Sequence, residues 1–113
     1  MNGTELLARV NDGDTGLVFQ DVLAAIDGDW AFTPVPFRNG TVENGAGENA
    51  GSCKVLAFAA AHRLSEEQTL LLFAEHYQAV LADPAGTAHA NIRAFMASGW
   101  AGFDMPERAL APR

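Results

Sequence analysis

Glycine, asparagine and proline are concentrated in residues 33–51, and the segments on either side of this stretch have the residue spacing of helices. Pro34 and Pro36 lack the backbone N–H that a central strand must donate, so the stretch begins as extended chain outside the middle of any sheet. A chain with this pattern has to combine a small β region with a larger helical part. We therefore predict a helix-dominated α+β fold.

The dipeptide Asn39-Gly40, within this stretch, is a strong signal for a two-residue hairpin turn. If these two residues form the turn, Phe37 lies opposite Val42 in the flanking strands. An isolated hairpin is only marginally stable in water, so we expect it to pack against helices. The predicted β region is one β-hairpin.

Helical spacing or capping signals mark five segments, which are residues 4–10, 17–27, 52–62, 66–81 and 89–98. Ser65 and Gln68 form a capping box at the start of the fourth segment. The third is apolar nearly all round, as is typical of a buried central helix. Gly28 is expected to end the second helix, with Asp14 or Thr15 as its N-cap.

The last predicted helix has a glycine terminator. Gly99 is expected to take the left-handed αL conformation there, and this geometry would place Trp100 against Phe95. We therefore assign Trp100 to the core, where large aromatic side chains of a small domain usually lie.

The length of 113 residues and the hydrophobic fraction of 49% suit one domain with one core. We predict a single α+β domain over residues 1–103, with four to five helices and one β-hairpin packed against them. Residues 104–113 contain two prolines and are expected to form a loose C-terminal tail.

The formal net charge of −7 excludes two classes of partner. Seven basic residues are scattered among fourteen acidic ones, whereas a general nucleic-acid binder clusters lysine and arginine against phosphates. The same charge balance argues against docking on anionic lipid. We expect neither a nucleic-acid partner nor a membrane partner.

The single cysteine, Cys53, cannot form an internal disulfide, which favours a reducing compartment and a cytoplasmic location. The N-terminal residues show no basic start followed by an apolar run, so no Sec signal peptide is expected. Type III secretion signals have no sharp sequence pattern, so export into a host cell by that route stays open.

Several motifs occur in a fixed order along the chain. They are Phe32-Thr33-Pro34, Asn39-Gly40, the segment NGAGENAGSCK at 44–54, Leu64-Ser65, Thr69-Leu70, Gly86-Thr87, His89, Asn91-Ile92-Arg93 and Gly99-Trp100. Together they resemble the signature of the HopJ family, over about residues 19–103. The resemblance implies the family's fold, and the family takes its name from a type III effector. It carries over no catalytic residue. Ala88 stands where relatives are expected to have an acidic residue, so no carboxylate precedes His89.

The glycine- and asparagine-rich loop leads into a helix, and helix N-termini are natural anion sites. The candidate ligand-binding residues are Asn44, Glu48, Asn49, Ser52, Lys54, His89, Asn91 and Arg93. The loop is not a phosphate-binding Walker A motif, because the Gly-x4-Gly-Lys-Ser/Thr order is absent. Arg93 either clamps a ligand carboxylate or pairs with Glu48. The structural alternative is a complex turn in which Asn44 and Asn49 satisfy backbone groups.

Cys53 lies in the first turn of the same helix, where a thiolate is favoured, so it is a candidate reactive thiol with His62 or His89 as its base. The alternative is a small buried hydrophobic residue. The three histidines lack the spacing of a zinc motif, so we expect no metal site and no cofactor.

Three functions remain open from the sequence. We expect a non-enzymatic interaction protein with a protein partner. The first alternative is a binding protein or an enzyme that takes a small anionic ligand at residues 44–54. This hypothesis predicts a pocket of roughly 300 Å³ or more. The second alternative is a loop that only builds the fold, with Asn44 and Asn49 buried and hydrogen-bonded within the chain.

Overall fold

Helices supply most of the structure, a computed structural model that describes all residues from Met1 to Arg113. The six α-helices are α1 (Gly3–Asn11), α2 (Phe19–Asp29), α3 (Ala50–Ala61), α4 (Glu66–Leu71), α5 (Glu75–Ala82) and α6 (Ala90–Ser98). The five short strands are β1 (Trp30–Phe32), β2 (Phe37–Asn39), β3 (Val42–Asn44), β4 (Phe103–Asp104) and β5 (Leu110–Pro112). The helix-dominated α+β class is confirmed, with one helix more than expected and two small antiparallel sheets in place of one hairpin.

Helix α3 is the centre of the core, as its apolar sequence predicted. Val55, Leu56 and Phe58 on this helix are completely buried. Helix α2 and strand β5 pack on it. At the far end of the chain, Gly99 has a φ of 57° and ends α6, although its ψ of −151° lies outside the αL region. Trp100 then packs edge-on against Phe95, with ring centroids 5.0 Å apart, as predicted.

The β2–β3 hairpin is present, but its predicted register is wrong by two residues on one strand. Asn39 lies opposite Val42 and Phe37 opposite Asn44, so Gly40 and Thr41 form the turn. Gly40 supplies the positive φ that such a turn needs, at 60°. Asn39 is held in the strand because its side chain is completely buried and hydrogen-bonded to helix α6.

The helix predicted over residues 66–81 is two helices, α4 and α5. The capping box of Ser65 and Gln68 is present at the start of α4. The break is at Ala74, which has a φ of 56° and a ψ of −128°. Leu72, Phe73 and Ala74 are all buried. A straight surface helix cannot bury three consecutive residues on one face, so core packing overrides the helical propensity of this segment.

Both predicted boundaries of α2 are wrong. Gly28 lies inside the helix rather than after it. Asp14 caps no helix; its carboxylate accepts the N–H of Gly16 instead, at 2.7 Å. The N-terminus of α2 is capped from another helix, because the Glu75 carboxylate accepts the N–H of Phe19 at 2.7 Å. No local sequence signal could reveal a cap that is 56 positions away.

The C-terminal segment is not a loose tail. Strand β5 pairs antiparallel with β1, and Phe32 lies opposite Leu110. Ala109 and Leu110 are buried, and Ala109 accepts the N–H of Thr33 at 2.8 Å. Strand β4 also extends the hairpin sheet, in the order β3-β2-β4. Residues 104–113 are held in place by strand pairing and by burial against distant parts of the chain. The two prolines of this segment do not prevent these contacts.

None of the helices is both long enough and apolar enough to cross a membrane.

Candidate functional site

Four asparagines join the signature loop to helix α6. Asn44 and Asn91 exchange two side-chain hydrogen bonds, of 3.2 Å and 3.0 Å. Asn49 donates to Asn44 Oδ1 at 2.7 Å. Asn39 donates to the backbone oxygen of Asn91 at 2.8 Å and to its Oδ1 at 3.1 Å. We call these four residues the asparagine network; it sets the distance between the loop and the N-terminus of α6.

Asn39 is the member of the network that the sequence analysis missed, since it was assigned to a turn. It is fully buried, and its Oδ1 accepts no hydrogen bond. Asn44 and Asn91 are also buried. Asn44 is therefore buried and hydrogen-bonded within the chain, as the structural alternative predicted, whereas the burial predicted for Asn49 is wrong because Asn49 is exposed. Both residues bond mainly to asparagine side chains rather than to backbone groups.

A cavity of about 240 Å³ lies beside the asparagine network, where the N-terminal parts of α2, α3, α5 and α6 meet. We call it the N-terminal pocket. Its polar lining includes Asn49, Ser52, His76, His89 and Asn91. It is smaller than the 300 Å³ or more that the anion-ligand hypothesis predicted. Four of the eight candidate ligand-binding residues reach it, and these are Asn49, Ser52, His89 and Asn91.

Two helices present unused backbone donors to the N-terminal pocket. Helix α3 has no side-chain cap, and its first internal bond is from the Cys53 N–H to Asn49, so the N–H groups of residues 50–52 make no bond within the protein. Helix α6 has no side-chain cap either, and the backbone N–H groups of residues 90 and 91 make no hydrogen bond within the protein. Such donors attract negative charge.

Two imidazoles stand together at the N-terminal pocket. The ring centroids of His76 and His89 are 4.9 Å apart, with the ring planes inclined by 36°. The His76 ring also packs edge-on against Phe19, at 4.8 Å. His76 is not among the ligand-binding residues predicted from the sequence, because nothing in its local sequence links it to the distant signature loop.

The surroundings of Glu75, at the edge of the N-terminal pocket, favour the ionised form of its carboxylate. Partial burial raises the pKa of Glu75, but the N–H groups of Phe19 and of Glu75 itself, with the neighbouring His76, lower it by more in sum. The pKa of Glu75 is therefore below its ordinary value of 4.5. The ionised carboxylate is the form that caps α2.

Replacing Glu75 with glutamine is expected to lower the melting temperature at pH 7. Because the pKa of Glu75 is depressed in the folded state, its stabilising contribution is present above pH 4.5 and is lost as the pH falls further. The difference in melting temperature between wild type and Glu75→Gln should therefore shrink between pH 7 and pH 3. Glu107→Gln is the control, since the Glu107 side chain makes no hydrogen bond or ion pair. A difference that is independent of pH would contradict this assignment.

The basic candidates do not reach the N-terminal pocket. Lys54 pairs with Asp27 at 2.9 Å, and its Nζ lies 5.0 Å from the centre of the Phe32 ring. Arg93 donates to the backbone oxygens of residues 83, 84 and 88, at 3.0 Å, 3.3 Å and 2.6 Å, and so holds the connection between α5 and α6. The expected Arg93–Glu48 pair is absent, because Glu48 accepts the N–H of Gly45 at 2.7 Å.

Cys53 is buried, and its Sγ lies 3.9 Å from the backbone oxygen of Val35. Burial raises the pKa of the Cys53 thiol, and the contact with Val35 opposes this only in part. The proposed base His62 packs at the other end of α3, against Phe58 and Trp30. This environment favours the neutral thiol over the nucleophilic thiolate. No group of three or more His, Cys, Asp or Glu side chains is arranged to hold a metal ion.

The fold and the pocket thus define a small α+β domain with a polar cavity at converging helix N-termini. Comparison with known proteins gives its family: residues 3–110 match the model described as HopJ type III effector protein, and the chain belongs to the HopJ family. The crystal structure of VPA0580, a protein of unknown function, is similar to this chain with a TM-score of 0.96 and 36% sequence identity. The similarity covers 100% of this chain and 95% of the VPA0580 chain. No curated protein matches the sequence.

Proposed function

We propose that this chain is a non-enzymatic binding protein that accepts a small anionic group in the N-terminal pocket. The observation that carries the proposal is the His76–His89 pair in a cavity with unused backbone N–H groups on two sides. An imidazole donates a hydrogen bond in either protonation state, so both rings serve as donors to an anion. Backbone N–H groups at helix N-termini add fixed positive partial charge.

The carboxylate of Glu75 supports the choice of an anion. It already binds the N–H of Phe19 at the edge of the same pocket, and Phe19 lines that pocket. The N-termini of α3 and α6 lack an equivalent partner from the protein. An external carboxylate or phosphate would supply for these two helices what Glu75 supplies for α2.

Three of the four non-glycine residues with a positive φ lie at or beside the same cavity, and the fourth is Arg63. Asn49 and His89 line it with φ values of 50° and 60°, and Ala74, with a φ of 56°, lies between two other lining residues. Positive φ is uncommon for residues other than glycine, although Asn and His adopt the αL conformation more readily than most. Ala74, with a ψ of −128°, lies outside the αL region and is the strained member of the three. Their clustering supports a functional role for the pocket.

The choice of binding over catalysis rests on the contacts of the one hydroxyl nucleophile in the pocket. Ser52 lines the pocket, but no hydrogen bond joins its Oγ to either imidazole. No carboxylate hydrogen bond orients His76 or His89. A nucleophile, a base and an orienting group within hydrogen-bond reach are the signature of covalent catalysis.

The test is a titration of the full-length chain with acetate and with inorganic phosphate, followed by amide NMR. We expect the shifts to concentrate on residues 50–52 and 90–91, and bound ligand to raise the melting temperature by mass action. The double variant His76→Ala/His89→Ala should bind about a hundredfold more weakly, because it removes two hydrogen bonds to a charged group, each of which contributes about 1.5 kcal/mol or more.

His62→Ala is the matched control, since His62 lies at the opposite end of α3, about 18 Å along the helix. It should bind acetate and phosphate as the wild type does. Amide shifts spread evenly over the surface, or equal weakening in the His62→Ala variant, would reject the N-terminal pocket as the site.

A protein partner, the function that the sequence analysis placed first, has separate structural support. Helices α5 and α6 border a groove of about 380 Å³ that includes the exposed side chains of Leu81 and Met96. Apolar side chains of this kind, beside the cationic Arg93, are common in contact surfaces. The family's description as a type III effector protein is compatible with either kind of binding. Cytoplasmic residence, with type III export into a host cell as the alternative, stays a prediction.

A further inference from the structure

We infer that the ligand of the N-terminal pocket is a monocarboxylate carried on a short apolar body, such as an aromatic ring. The inference rests on the proposed function and names the chemical class of its ligand. The observations that carry it are the aromatic floor of the cavity and the charges around it.

The floor of the pocket is apolar. Phe19, Phe73 and Ile92 line it opposite the polar groups, and the last two are almost completely buried. The rings of Phe19 and Phe73 are nearly parallel, with centroids 6.2 Å apart and an angle of 10° between their planes. Half-buried Phe19 therefore presents part of its ring to the cavity, backed by a rigid core residue. An ion without an apolar part would leave this surface in contact with water.

Gly51 brings the polar and apolar sides into direct contact. A Cβ at this position would lie 3.1 Å from the Phe19 ring, closer than ordinary packing allows. The first turn of α3 therefore lies on the ring, and its free N–H groups are within one side chain's length of the apolar floor. A carboxylate held by these N–H groups would place the atoms attached to it against Phe19.

The charge of the pocket matches a monoanion better than a dianion. Neither lysine nor arginine lines it, since Lys54 pairs with Asp27 and Arg93 binds backbone oxygens. The two uncapped helix N-termini supply about half a positive charge each, or roughly one unit together. The Glu75 carboxylate at the edge of the pocket adds one negative charge, which the N-terminus of α2 offsets only in part. The net charge of −7 on the whole chain adds a further cost to each extra negative charge. These features favour a carboxylate over a phosphate dianion.

The volume sets an upper limit on the ligand. A cavity of about 240 Å³ is smaller than the usual site for a drug-sized molecule. Benzoate is a suitable probe because it has one carboxylate on one planar ring. Acetate has the same charge without the ring, and inorganic phosphate at pH 8 is mainly a dianion.

The experiment compares the affinities of benzoate, acetate and inorganic phosphate for the full-length chain at pH 8, using the amide shifts of residues 50–52 and 90–91. We expect benzoate to bind at least about tenfold more tightly than acetate, because its ring buries apolar surface. Phosphate should bind no more tightly than acetate. Equal affinities for benzoate and acetate, or tighter binding of phosphate, would overturn the ligand class and leave the proposed function intact. No binding by any of the three would overturn both.

A pair of glycine variants tests the role of the ring. Gly51→Ala should push the Phe19 ring and lower the benzoate affinity by about fivefold or more, with a smaller effect on acetate. Gly28→Ala is the matched control, because it adds the same methyl group inside a helix with open space around it. Equal losses of benzoate and acetate affinity in Gly51→Ala would show that the ring makes no contribution to binding.

Discussion

Replacing Asn91 with alanine is expected to lower the free energy of unfolding by about 2 to 3 kcal/mol, because it removes three hydrogen bonds between buried side chains. The Asn91 side chain accepts hydrogen bonds from Asn39 and Asn44 and donates one back to Asn44. All three residues are buried, and of the three only Asn91 borders the N-terminal pocket, so water replaces the lost bonds at most in part. Urea unfolding of the wild type and of Asn91→Ala measures the difference.

The control for this prediction is Asn11→Ala. Asn11 is exposed and accepts one side-chain hydrogen bond, from Gln68 at 2.7 Å. Loss of this side-chain hydrogen bond in Asn11→Ala should change the free energy of unfolding by less than about 0.5 kcal/mol, as is usual for surface positions. Similar losses in the two variants would show that the asparagine network contributes no more than an exposed hydrogen bond.

A double variant gives a sharper test of the same network. Asn44→Ala and Asn91→Ala each break the two hydrogen bonds that these residues exchange, so the combined loss should be smaller than the sum of the single losses. Additive losses would mean that the two side chains stabilise the fold independently. The coupling matters for the site, since the network holds the N-termini of α3 and α6 beside one cavity.

Leu110→Ala is expected to lower the free energy of unfolding by about 3 kcal/mol, within the range of about 2 to 5 kcal/mol for such core truncations. Leu110 is only 5% exposed, in the strand that pairs with β1. The substitution removes apolar contacts at the point where the C-terminal strand is anchored to the core.

Leu81→Ala is the matched control for Leu110→Ala, because it makes the same chemical change at a side chain that is 48% exposed. It should cost less than about 1 kcal/mol, since little apolar burial is lost. Equal effects of the two substitutions would mean that the C-terminal strand is as loosely held as the sequence analysis expected. Thermal or urea unfolding of the full-length variants distinguishes these outcomes.

The fold features that were predicted correctly depend on residues close together in the chain. The capping box needs only Ser65 and Gln68, which are three positions apart. The Gly99–Trp100 termination needs only the last turn of one helix and the ring of Phe95. Helix α3 could be assigned to the core because its own residues are apolar on all sides. In the first two cases the interacting groups lie within about one helical turn, so the sequence pattern describes the contact itself. In the third, the apolar surface of the helix shows that it is buried but not which elements pack on it.

The candidate site was predicted only in part, for a related reason. Asn49, Ser52, His89 and Asn91 reach the N-terminal pocket, and the family signature pointed to these positions. Lys54 and Arg93 were chosen for their charge, but Asp27 and the backbone oxygens after α5 bind them elsewhere. His76 could not be chosen, because only the turn at Ala74 brings α5 beside α6.

The sequence by itself determined the class of fold, the central helix, the helix caps made by near neighbours and the family. Only the tertiary structure decided the hairpin register, the break at Ala74, the pairing of β5 with β1 and the position of the pocket. The physical reason is the distance along the chain between the groups that interact. Glu75 caps a helix 56 positions away, and Asn39 bonds to Asn91 across 52 positions. Such contacts form only when the whole core packs, and no local pattern records them.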